Sequence, residues 1–341
     1  MKSTWQQFLE DEGAELRDGL AISFGETPAD YASLTNTISD LSDFGLLCAQ
    51  GSDTRKFLQG QSTCDFQTSD LEASPPGAIC NPKGRMITSF QSHGTSEDKI
   101  LLSMDRALVT STLAVLQKYA AFFKTELSDE SNTYNQFGLS GPGLADILVG
   151  FFPSIPQVNH SVVNADGATL TSLSAELFII VTKADAAPQL WQALSSDIQA
   201  VGLSWWQLKL IAAGLAFISP SLSEQLVPQM LNLQATGAIS FTKGCYTGQE
   251  VVARMQYLGK LKRRTYHLTL ATTHVPNSGD EITTTDAKVV GTVVLAAPAD
   301  KNSVAVLAVL RESALEQSEL VLSGESMAVT LDTLPYVIAE Q

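Results

Sequence analysis

One short segment of the sequence brings together the residue types that reactive-thiol chemistry needs. It reads Lys243-Gly244-Cys245-Tyr246-Thr247-Gly248-Gln249-Glu250. A cysteine acts as a nucleophile or a metal ligand in its thiolate form, and both a nearby cation and a helix N-terminus stabilise that anion. Cys245 follows Lys243 by two residues and precedes a helix-start pattern. The sequence therefore predicts a reactive thiolate at Cys245; the alternative is an inert cysteine, since free cysteines are often buried.

The residues after Cys245 have the form of a helix N-terminus. Thr247 and Glu250, three residues apart, match a capping box, in which each side chain accepts a hydrogen bond from a free amide of the first turn. With Thr247 as the N-cap, Tyr246 and Val251 occupy the two positions that pack together as a hydrophobic staple. The glycines of the segment permit a positive φ angle or a close approach of backbone to a bound group. We therefore expect Thr247 to cap the helix.

Charge excludes some classes of function. The 341-residue chain has 36 acidic and 21 basic residues and a net charge of −15. Non-specific nucleic-acid binding depends on Lys and Arg neutralising phosphates, and anionic membranes attract the same side chains. The chain is therefore not expected to bind either directly. The basic run at 260–264 is a local exception, and such runs are more often solvated surface than binding patches.

Composition indicates a globular chain with a substantial core. Hydrophobic residues make up 44% and charged residues 17% of the sequence. No apolar run reaches the roughly 18 residues of a membrane span, and the N-terminus lacks a secretory signal pattern. The cysteines have no close pair, which argues against a disulfide scaffold or a zinc site; they are Cys48, Cys64, Cys80 and Cys245. We expect a cytoplasmic protein, with the first three cysteines in its core.

The sequence contains no other recognisable metal-binding or cofactor-binding motif. The histidines lie far apart and form no metal-binding pair on a helix; they are His93, His160, His267 and His274. Phosphate-loop, dinucleotide-binding and nucleophile-elbow motifs are absent as well. We therefore expect no resident metal.

The elements that must position these residues follow two patterns. Up to about residue 254 strands and helices alternate, which predicts an α+β body, whereas residues 1–40 have little periodicity beyond a short amphipathic start. From about Arg264 short β runs separated by turns predict a small closed barrel. We place the boundary between 1–254 and 255–341. The predicted elements are strands at 46–49, 78–81, 86–90, 99–103, 122–127, 168–173, 177–182, 265–270, 289–295, 304–310, 319–322 and 327–331, and helices at 55–58, from Asp105, within 143–152, at 185–200 and at 205–212.

The octapeptide resembles the signature of the YgfZ family, folate-binding proteins related to the T-protein (aminomethyltransferase) of the glycine cleavage system. The resemblance extends to Leu226–Gln229, Asn232–Ala235 and Gly237–Thr242 before the signature, and it runs from about residue 44 to the end. It implies the T-protein arrangement, with two α+β lobes and a C-terminal barrel around a central cavity. A flat pteridine ring needs such a concave, partly aromatic cavity.

The resemblance also implies a tetrahydrofolate site. The two folate-contacting tryptophans of the family match Trp206 and Phe44, and Phe44 departs from the pattern because it lacks the indole donor. Arg254 or the run at 260–264 would hold the anionic glutamate tail. The full set of implied folate contacts is Phe44, Trp206, Gln229, Tyr246, Gln249, Glu250 and Arg254.

One departure from the T-protein bears on the reaction. Aminomethyl transfer needs a carboxylate near the reacting amine, and the T-protein has acidic residues a few positions after a glycine turn. The matching positions here are Thr88 and Ser89. A hydroxyl does not exchange a proton near neutral pH, so glycine-cleavage chemistry is not expected.

Three functions remain in order of preference. The first is a folate-binding accessory factor for making or repairing iron–sulfur enzymes, which supports tRNA modification indirectly through them. The second is a folate-dependent one-carbon enzyme, such as a demethylase, with Asp65 or Glu224 as its proton-handling group. The third is an RNA-binding module. The partners implied by the first are folate and iron–sulfur enzymes or their assembly machinery.

Overall fold

The structure is a computed structural model, and it describes residues 2–67, 70, 72–259, 261–315, 319–322 and 324–338. The α-helices are α1 (Thr4–Asp11), α2 (Thr54–Gln61), α3 (Val109–Ala120), α4 (Leu144–Leu148), α5 (Ala187–Ser195), α6 (Leu203–Ala212) and α7 (Gln249–Tyr257). The strands are β1 (Glu15–Arg17), β2 (Leu20–Ser23), β3 (Thr37–Asp40), β4 (Phe44–Gln50), β5 (Pro76–Cys80), β6 (Met86–Ser96), β7 (Lys99–Asp105), β8 (Glu126–Asp129), β9 (Tyr134–Ser140), β10 (Ser161–Val163), β11 (Thr169–Ser174), β12 (Leu177–Lys183), β13 (Gln199–Ala200), β14 (Arg263–Leu270), β15 (Glu281–Thr283), β16 (Val289–Pro298), β17 (Val304–Arg311), β18 (Glu319–Leu322) and β19 (Glu325–Asp332). No described helix has both the length and the apolar character needed to cross a membrane.

The chain folds as two compact units that are discontinuous in sequence. The first comprises Met1–Leu58, Phe66–Pro76 and Phe90–Trp206, and the second comprises Gln59–Asp65, Gly77–Ser89 and Gln207–Gln341. The predicted α+β character is confirmed, because both helices and strands build the first unit.

The first unit contains a six-stranded sheet in the order β10-β11-β12-β9-β3-β13. All its pairings are antiparallel except that of β13 with β3. The strands predicted at 168–173 and 177–182 are confirmed as β11 and β12. The helix predicted over 185–200 is shorter, since α5 ends at Ser195 and residues 199–200 pair with β3 instead.

The N-terminal region adds to the core of this first unit. Ser3 caps α1 in a capping box with Gln6, and the Trp5 ring stacks on that of Phe137 at a centroid distance of 5.5 Å. Trp5 also meets the edge of Trp191 at 5.8 Å. Residues 1–40, which showed no clear element in the sequence, therefore supply α1, three strands and part of the core.

A second sheet of the first unit has β7 and β4 at its centre, with β8 and the part of β6 from Phe90 on either side. The strand predicted at 122–127 is largely wrong, because β8 begins only at Glu126. Phe122 and Phe123 donate their amides to Tyr119 O and Ala120 O, so they form the turn that ends α3. Phe122 is accordingly 84% exposed.

The second unit contains the predicted barrel. Its strands close in the order β14-β17-β16-β15-β18-β19, and β19 pairs back onto β14. Apolar side chains of β16, β17 and β18 fill its interior. The five predicted barrel strands are confirmed, and the three-residue strand β15 is the one that the sequence pattern was too short to indicate. The boundary at residue 255 stays a prediction.

The second unit also contains the predicted hairpin of β5 and the start of β6. Asn81 Oδ1 accepts hydrogen bonds from the amides of Lys83 and Arg85 and so organises the turn. Gly84 has φ +70°, a conformation that disfavours other residues. The hairpin turn packs beside the signature segment described next.

Candidate functional site

The signature segment enters α7 through a glycine turn. Helix α7 begins at Gln249 and its N-cap is Gly248, with φ +85° and no side-chain cap. The capping box predicted for Thr247 and Glu250 is therefore wrong, as is the staple register that depended on it. Gln249 N donates to Tyr246 O at 3.1 Å, which places Thr247 inside a turn before the helix.

Close packing of backbone explains why glycine occupies position 248. A Cβ atom there would lie 2.6 Å from Asn81 O and 3.0 Å from Gly84 Cα in the hairpin turn. The prediction of a positive φ and a close approach is thus confirmed for Gly248. Gly244 differs, because a Cβ atom on it would meet nothing within 4 Å.

Lys243 is the buried cation of the segment. Its Nζ donates to Ser62 O at 2.8 Å and to Cys64 O at 2.5 Å, and it lies 5.1 Å from the centroid of the Tyr246 ring. Burial lowers the pKa of the ammonium from 10.5 to about 8, although Cys64 and Asp65 oppose that shift. Lys243 therefore fastens segment 59–65 to the signature. Its predicted effect on the Cys245 thiol stays a prediction.

Cys245 differs from the other cysteines in exposure. Its thiol is exposed, whereas Cys48, Cys64 and Cys80 are buried, as predicted. Burial raises the pKa of Cys64 to about 11 and that of Cys80 to about 12. At neutral pH only Cys245 among the four thiols is therefore open to reagents and partners. Cys245 is therefore not a buried core cysteine, and its reactivity stays a prediction.

The predicted folate contacts of the second unit fall into two groups. Gln229 is fully buried, its Nε2 donates to Val252 O at 2.6 Å, and its Oε1 is a buried acceptor with no partner in the described part of the chain. Tyr246 is 8% exposed, and burial raises the pKa of its phenol. Arg254 and Glu250 are exposed on α7, and Gln249 is half-buried there.

The predicted aromatic contacts lie in the first unit. Trp206 on α6 is 1% exposed and packs against Gly138, where a Cβ atom would lie 2.6 Å from the indole ring. Its Nε1 is a buried donor without a partner among the described residues. Phe44 begins β4 opposite Asp105 and is 9% exposed. Both the ring and the N–H group of Trp206 are therefore buried, and its role as a folate contact stays a prediction.

The hydroxyls at the T-protein carboxylate positions have structural partners in the second unit. Ser89 Oγ accepts from Ile218 N at 2.8 Å, and Thr88 Oγ1 donates to Ser89 O at 3.2 Å. Both residues are buried. Two acids were considered for proton transfer. Glu224 has φ +60°, and its carbonyl accepts a hydrogen bond from Arg85. Asp65 is the last residue of the segment that Lys243 fastens.

The sequence analysis missed an acidic cluster in which Asp40 is buried and Asp43 and Asp105 are half-buried. Asp40, Asp43 and Asp105 lie near one another in the first unit, and burial raises the pKa of each. For Asp43 it reaches about 8, with Asp40 and Asp105 as further causes. Trp5 Nε1 donates to Asp40 at 2.8 Å. The spacing of Asp40 and Asp43 was visible in the sequence, but their proximity to Asp105 depends on the pairing of β4 with β7.

The basic run and the histidines complete the predicted positions. Lys260 lies outside the described residues, Lys262 is exposed, and Arg263 and Arg264 are half-buried at the start of β14. Among the described residues, no group of three or more His, Cys, Asp or Glu side chains could hold a metal ion.

Comparison with curated proteins decides the family. The chain is 33% identical over 321 residues to the tRNA-modifying protein YgfZ of Pectobacterium carotovorum subsp. carotovorum (strain PC1), covering 92% of this chain and 96% of the relative. It is 34% identical over 322 residues to the tRNA-modifying protein YgfZ of Sodalis glossinidius, covering 92% and 97%. The chain belongs to the YgfZ family. No protein-family model matches it.

A solved structure agrees with the fold expected for the YgfZ family. The aminomethyltransferase T of the glycine cleavage system from Bartonella henselae superposes with a TM-score of 0.77 and covers 97% of this chain and 96% of its own. The sequence identity is 16%, so the likeness shows the fold alone. The resemblance to the YgfZ family and the T-protein fold are both confirmed.

Proposed function

We propose that this chain binds a reduced folate, such as tetrahydrofolate, and assists the assembly or repair of iron–sulfur enzymes. Through those enzymes it would support tRNA modification, the activity in the names of its relatives. The T-protein fold supports folate as the ligand class. The net charge of −15 favours an indirect route over direct tRNA binding.

The observation that carries the folate proposal is the unused indole N–H of Trp206 in the first unit. Trp206 Nε1 is a buried donor that has no partner among the described residues. Leaving such a group unpaired costs about 1–3 kcal/mol, so a ligand that pairs it gains that amount. Trp206 is one of the folate contacts that the YgfZ resemblance implies. A pteridine ring carries hydrogen-bond acceptors, so it fits this donor.

Different residues of the chain would then have different roles in this function. Within the first unit, Trp206 would donate a hydrogen bond that orients the ring, and Phe44 would supply apolar surface. Bound folate would supply one-carbon or redox chemistry. Lys243 fixes the loop that presents the exposed Cys245, and a thiolate at that position could contact iron of a client cluster. Thr88 and Ser89 provide no carboxylate for glycine cleavage.

Calorimetry with tetrahydrofolate tests the ligand. Trp206→Phe keeps an aromatic ring but removes the N–H, so we expect affinity to fall about ten-fold, the value of one hydrogen bond to a buried partner. Trp191→Phe is the matched control, since Trp191 Nε1 is also buried and unpartnered within the described chain but belongs to the core of the first unit. Equal affinities for wild type and Trp206→Phe would remove Trp206 from the site, and no binding to wild type would refute the folate proposal.

Complementation tests the thiol. In cells that lack this protein, Cys245→Ser should fail to restore iron–sulfur enzyme activity and thiolated tRNA. Gly244→Ala controls for disturbance of the same loop, because a Cβ atom there meets nothing within 4 Å. Full rescue by Cys245→Ser would exclude the thiol from the function.

A further inference from the structure

A pocket of about 660 Å³ lies in the second unit, between the end of α7, the start of β14 and the end of β17. Its volume is in the range that holds small organic ligands. The residues that line it are Met230, Met255, Leu261, Lys262, Arg263, Arg311, Glu312 and Ser313. They divide into an apolar group and a charged group.

The apolar group suits a carbon framework. Met230, Met255 and Leu261 form it, and Leu261 is 5% exposed. Methionine side chains are flexible and polarisable, so they adapt to ligands of different shape. A ligand in this pocket would therefore bury an aromatic or aliphatic body against these three side chains.

The charged group is dominated by two arginines on adjacent strands. Arg263 of β14 and Arg311 of β17 are direct cross-strand partners, and both line the pocket. Like charges directly opposite each other destabilise a sheet. Among the described residues that line the pocket, Lys262 adds a third cation, and Glu312 supplies a single carboxylate.

These three cations form no ion pair with the described residues. Within the described residues, Lys262, Arg263 and Arg311 make no ion pair and no side-chain hydrogen bond. The chain has 36 acidic residues and 21 basic ones, so its sequence contains more than enough carboxylates to pair with every cation. Guanidinium groups bind carboxylates and phosphates through two parallel hydrogen bonds. The unpaired cations thus provide the charge that an anionic ligand needs.

We propose that this pocket binds an amphipathic organic anion, namely a carboxylate or phosphate on an aromatic or acyl body. Arg263 and Arg311 hold the anion, and Met230, Met255 and Leu261 contact the body. Met255 lies six residues after the start of α7, about 9 Å along the helix axis from the signature loop. The proposed anion site therefore does not depend on folate binding at the signature.

Methyl NMR of the full chain tests the proposal. The chain has six methionines, so ¹³C-methyl spectra are simple to assign. Titration with 4-phenylbutyrate or phenyl phosphate should shift the Met230 and Met255 methyls saturably, and neutral 4-phenylbutanol should bind at least about ten-fold more weakly. If neither anion shifted these methyls up to about 10 mM, or if the alcohol bound equally well, the proposal would be overturned.

Charge variants distinguish binding in the pocket from a general effect of the protein's net charge. Arg263→Gln and Arg311→Gln should each weaken the binding of 4-phenylbutyrate about ten-fold. Arg264→Gln removes the same charge from the neighbouring position that does not line the pocket, so it should change affinity by less than about two-fold. Equal effects of all three substitutions would overturn the assignment. So would methyl shifts caused only by tRNA and lost at high salt, the signature of phosphate-backbone contact.

Two sources of such an anion can be told apart by titrating tetrahydrofolate itself. A shift of the Met230 and Met255 methyls that Arg263→Gln abolishes would identify the glutamate tail of folate as the anion. Binding of 4-phenylbutyrate without any such response to tetrahydrofolate would identify a separate metabolite. Either result keeps the pocket as an anion site.

Discussion

The second unit contains two cationic regions that use their charges in opposite ways. At the signature, Lys243 is buried and two carbonyl oxygens and a tyrosine ring surround its ammonium group. At the barrel pocket, Arg263 and Arg311 are cross-strand partners, and neither makes an ion pair with the described residues. The paired cation stabilises the fold. The two unpaired cations line a pocket, where a ligand can reach them.

Two adjacent tryptophans on α6 show the same difference in the first unit. Trp205 Nε1 donates to Thr37 Oγ1 at 2.8 Å and to Ser140 Oγ at 3.1 Å, and it ties the helix to the six-stranded sheet. Trp206 Nε1 has no partner among the described residues. Neighbouring residues of one type therefore have separate roles, which sequence alone does not distinguish.

The largest effect on stability should come from the paired cation. Lys243→Met keeps the side-chain length but leaves Ser62 O and Cys64 O unpaired, so we expect a loss of about 2–3 kcal/mol in the free energy of unfolding. Segment 59–65 should loosen, and the buried Cys64 thiol should become reactive. Chemical denaturation and mass spectrometry after alkylation measure the two effects.

The matched control for Lys243→Met is Lys262→Met. Lys262 is an exposed lysine of the same unit that makes no ion pair among the described residues, so its loss should change stability by less than about 0.5 kcal/mol. If Lys243→Met behaved like Lys262→Met and Cys64 stayed protected from alkylation, the two cationic regions would not differ as described.

A smaller effect of opposite sign is expected at the acidic cluster. Burial, together with Asp40 and Asp105, raises the pKa of Asp43 from 3.8 to about 8. The folded chain thus binds this proton more tightly than the unfolded chain, and the stability from Asp43 is complete below pH 3.8 and lost as the pH rises towards 8. Asp43 is half-buried, so solvent screening reduces the effect well below the full linkage value; Asp43→Asn should therefore stabilise the protein at pH 8 by about 1 kcal/mol and have little effect near pH 4.

Denaturation of wild type and Asp43→Asn across pH measures that difference. Asp30→Asn is the control with the opposite sign, because hydrogen bonds from Thr27 lower the pKa of Asp30. Its contribution is present above pH 3.8 and lost as the pH falls through the lowered pKa, so its removal should destabilise only at neutral pH. Parallel pH profiles for wild type and Asp43→Asn would show that Asp43 titrates normally.

Local sequence patterns predicted elements better than they predicted caps. The barrel strands and the hairpin around Gly84 followed from alternation and turn residues. Two segments, however, share the capping-box form: Ser3 with Gln6 makes a capping box, whereas Thr247 with Glu250 does not. The difference lies at Gly248, where packing on the hairpin turn favours a left-handed residue next to the helix. That packing involves residues about 165 positions away, as Asn81 shows, so no local pattern contains it.

The sequence singled out candidate site residues, but it did not predict the contacts that each of them makes. Cys245 and Trp206 were singled out from the sequence, and the structure exposes the first and leaves the indole N–H of the second unpaired. The bonds of Lys243 join residues 181 and 179 positions apart. The pairing of Arg263 with Arg311 likewise depends on the register of β14 and β17. Contacts of this kind arise only when the chain has folded.

The smallest effect should come from the unpaired arginines. Without ligand, Arg311→Gln removes one of two like charges that face each other, so it should leave stability unchanged or raise it by up to about 0.5 kcal/mol. Because that gain comes from relieved repulsion between half-exposed groups, it should vanish at about 1 M salt, where charges are screened within about 3 Å. Thermal or chemical denaturation at low and high salt measures it, with Arg264→Gln as the control. A loss of more than about 1 kcal/mol would mean that the Arg311 guanidinium holds the barrel in place as Lys243 holds the signature, and Arg311 would then not be available to a ligand in the pocket.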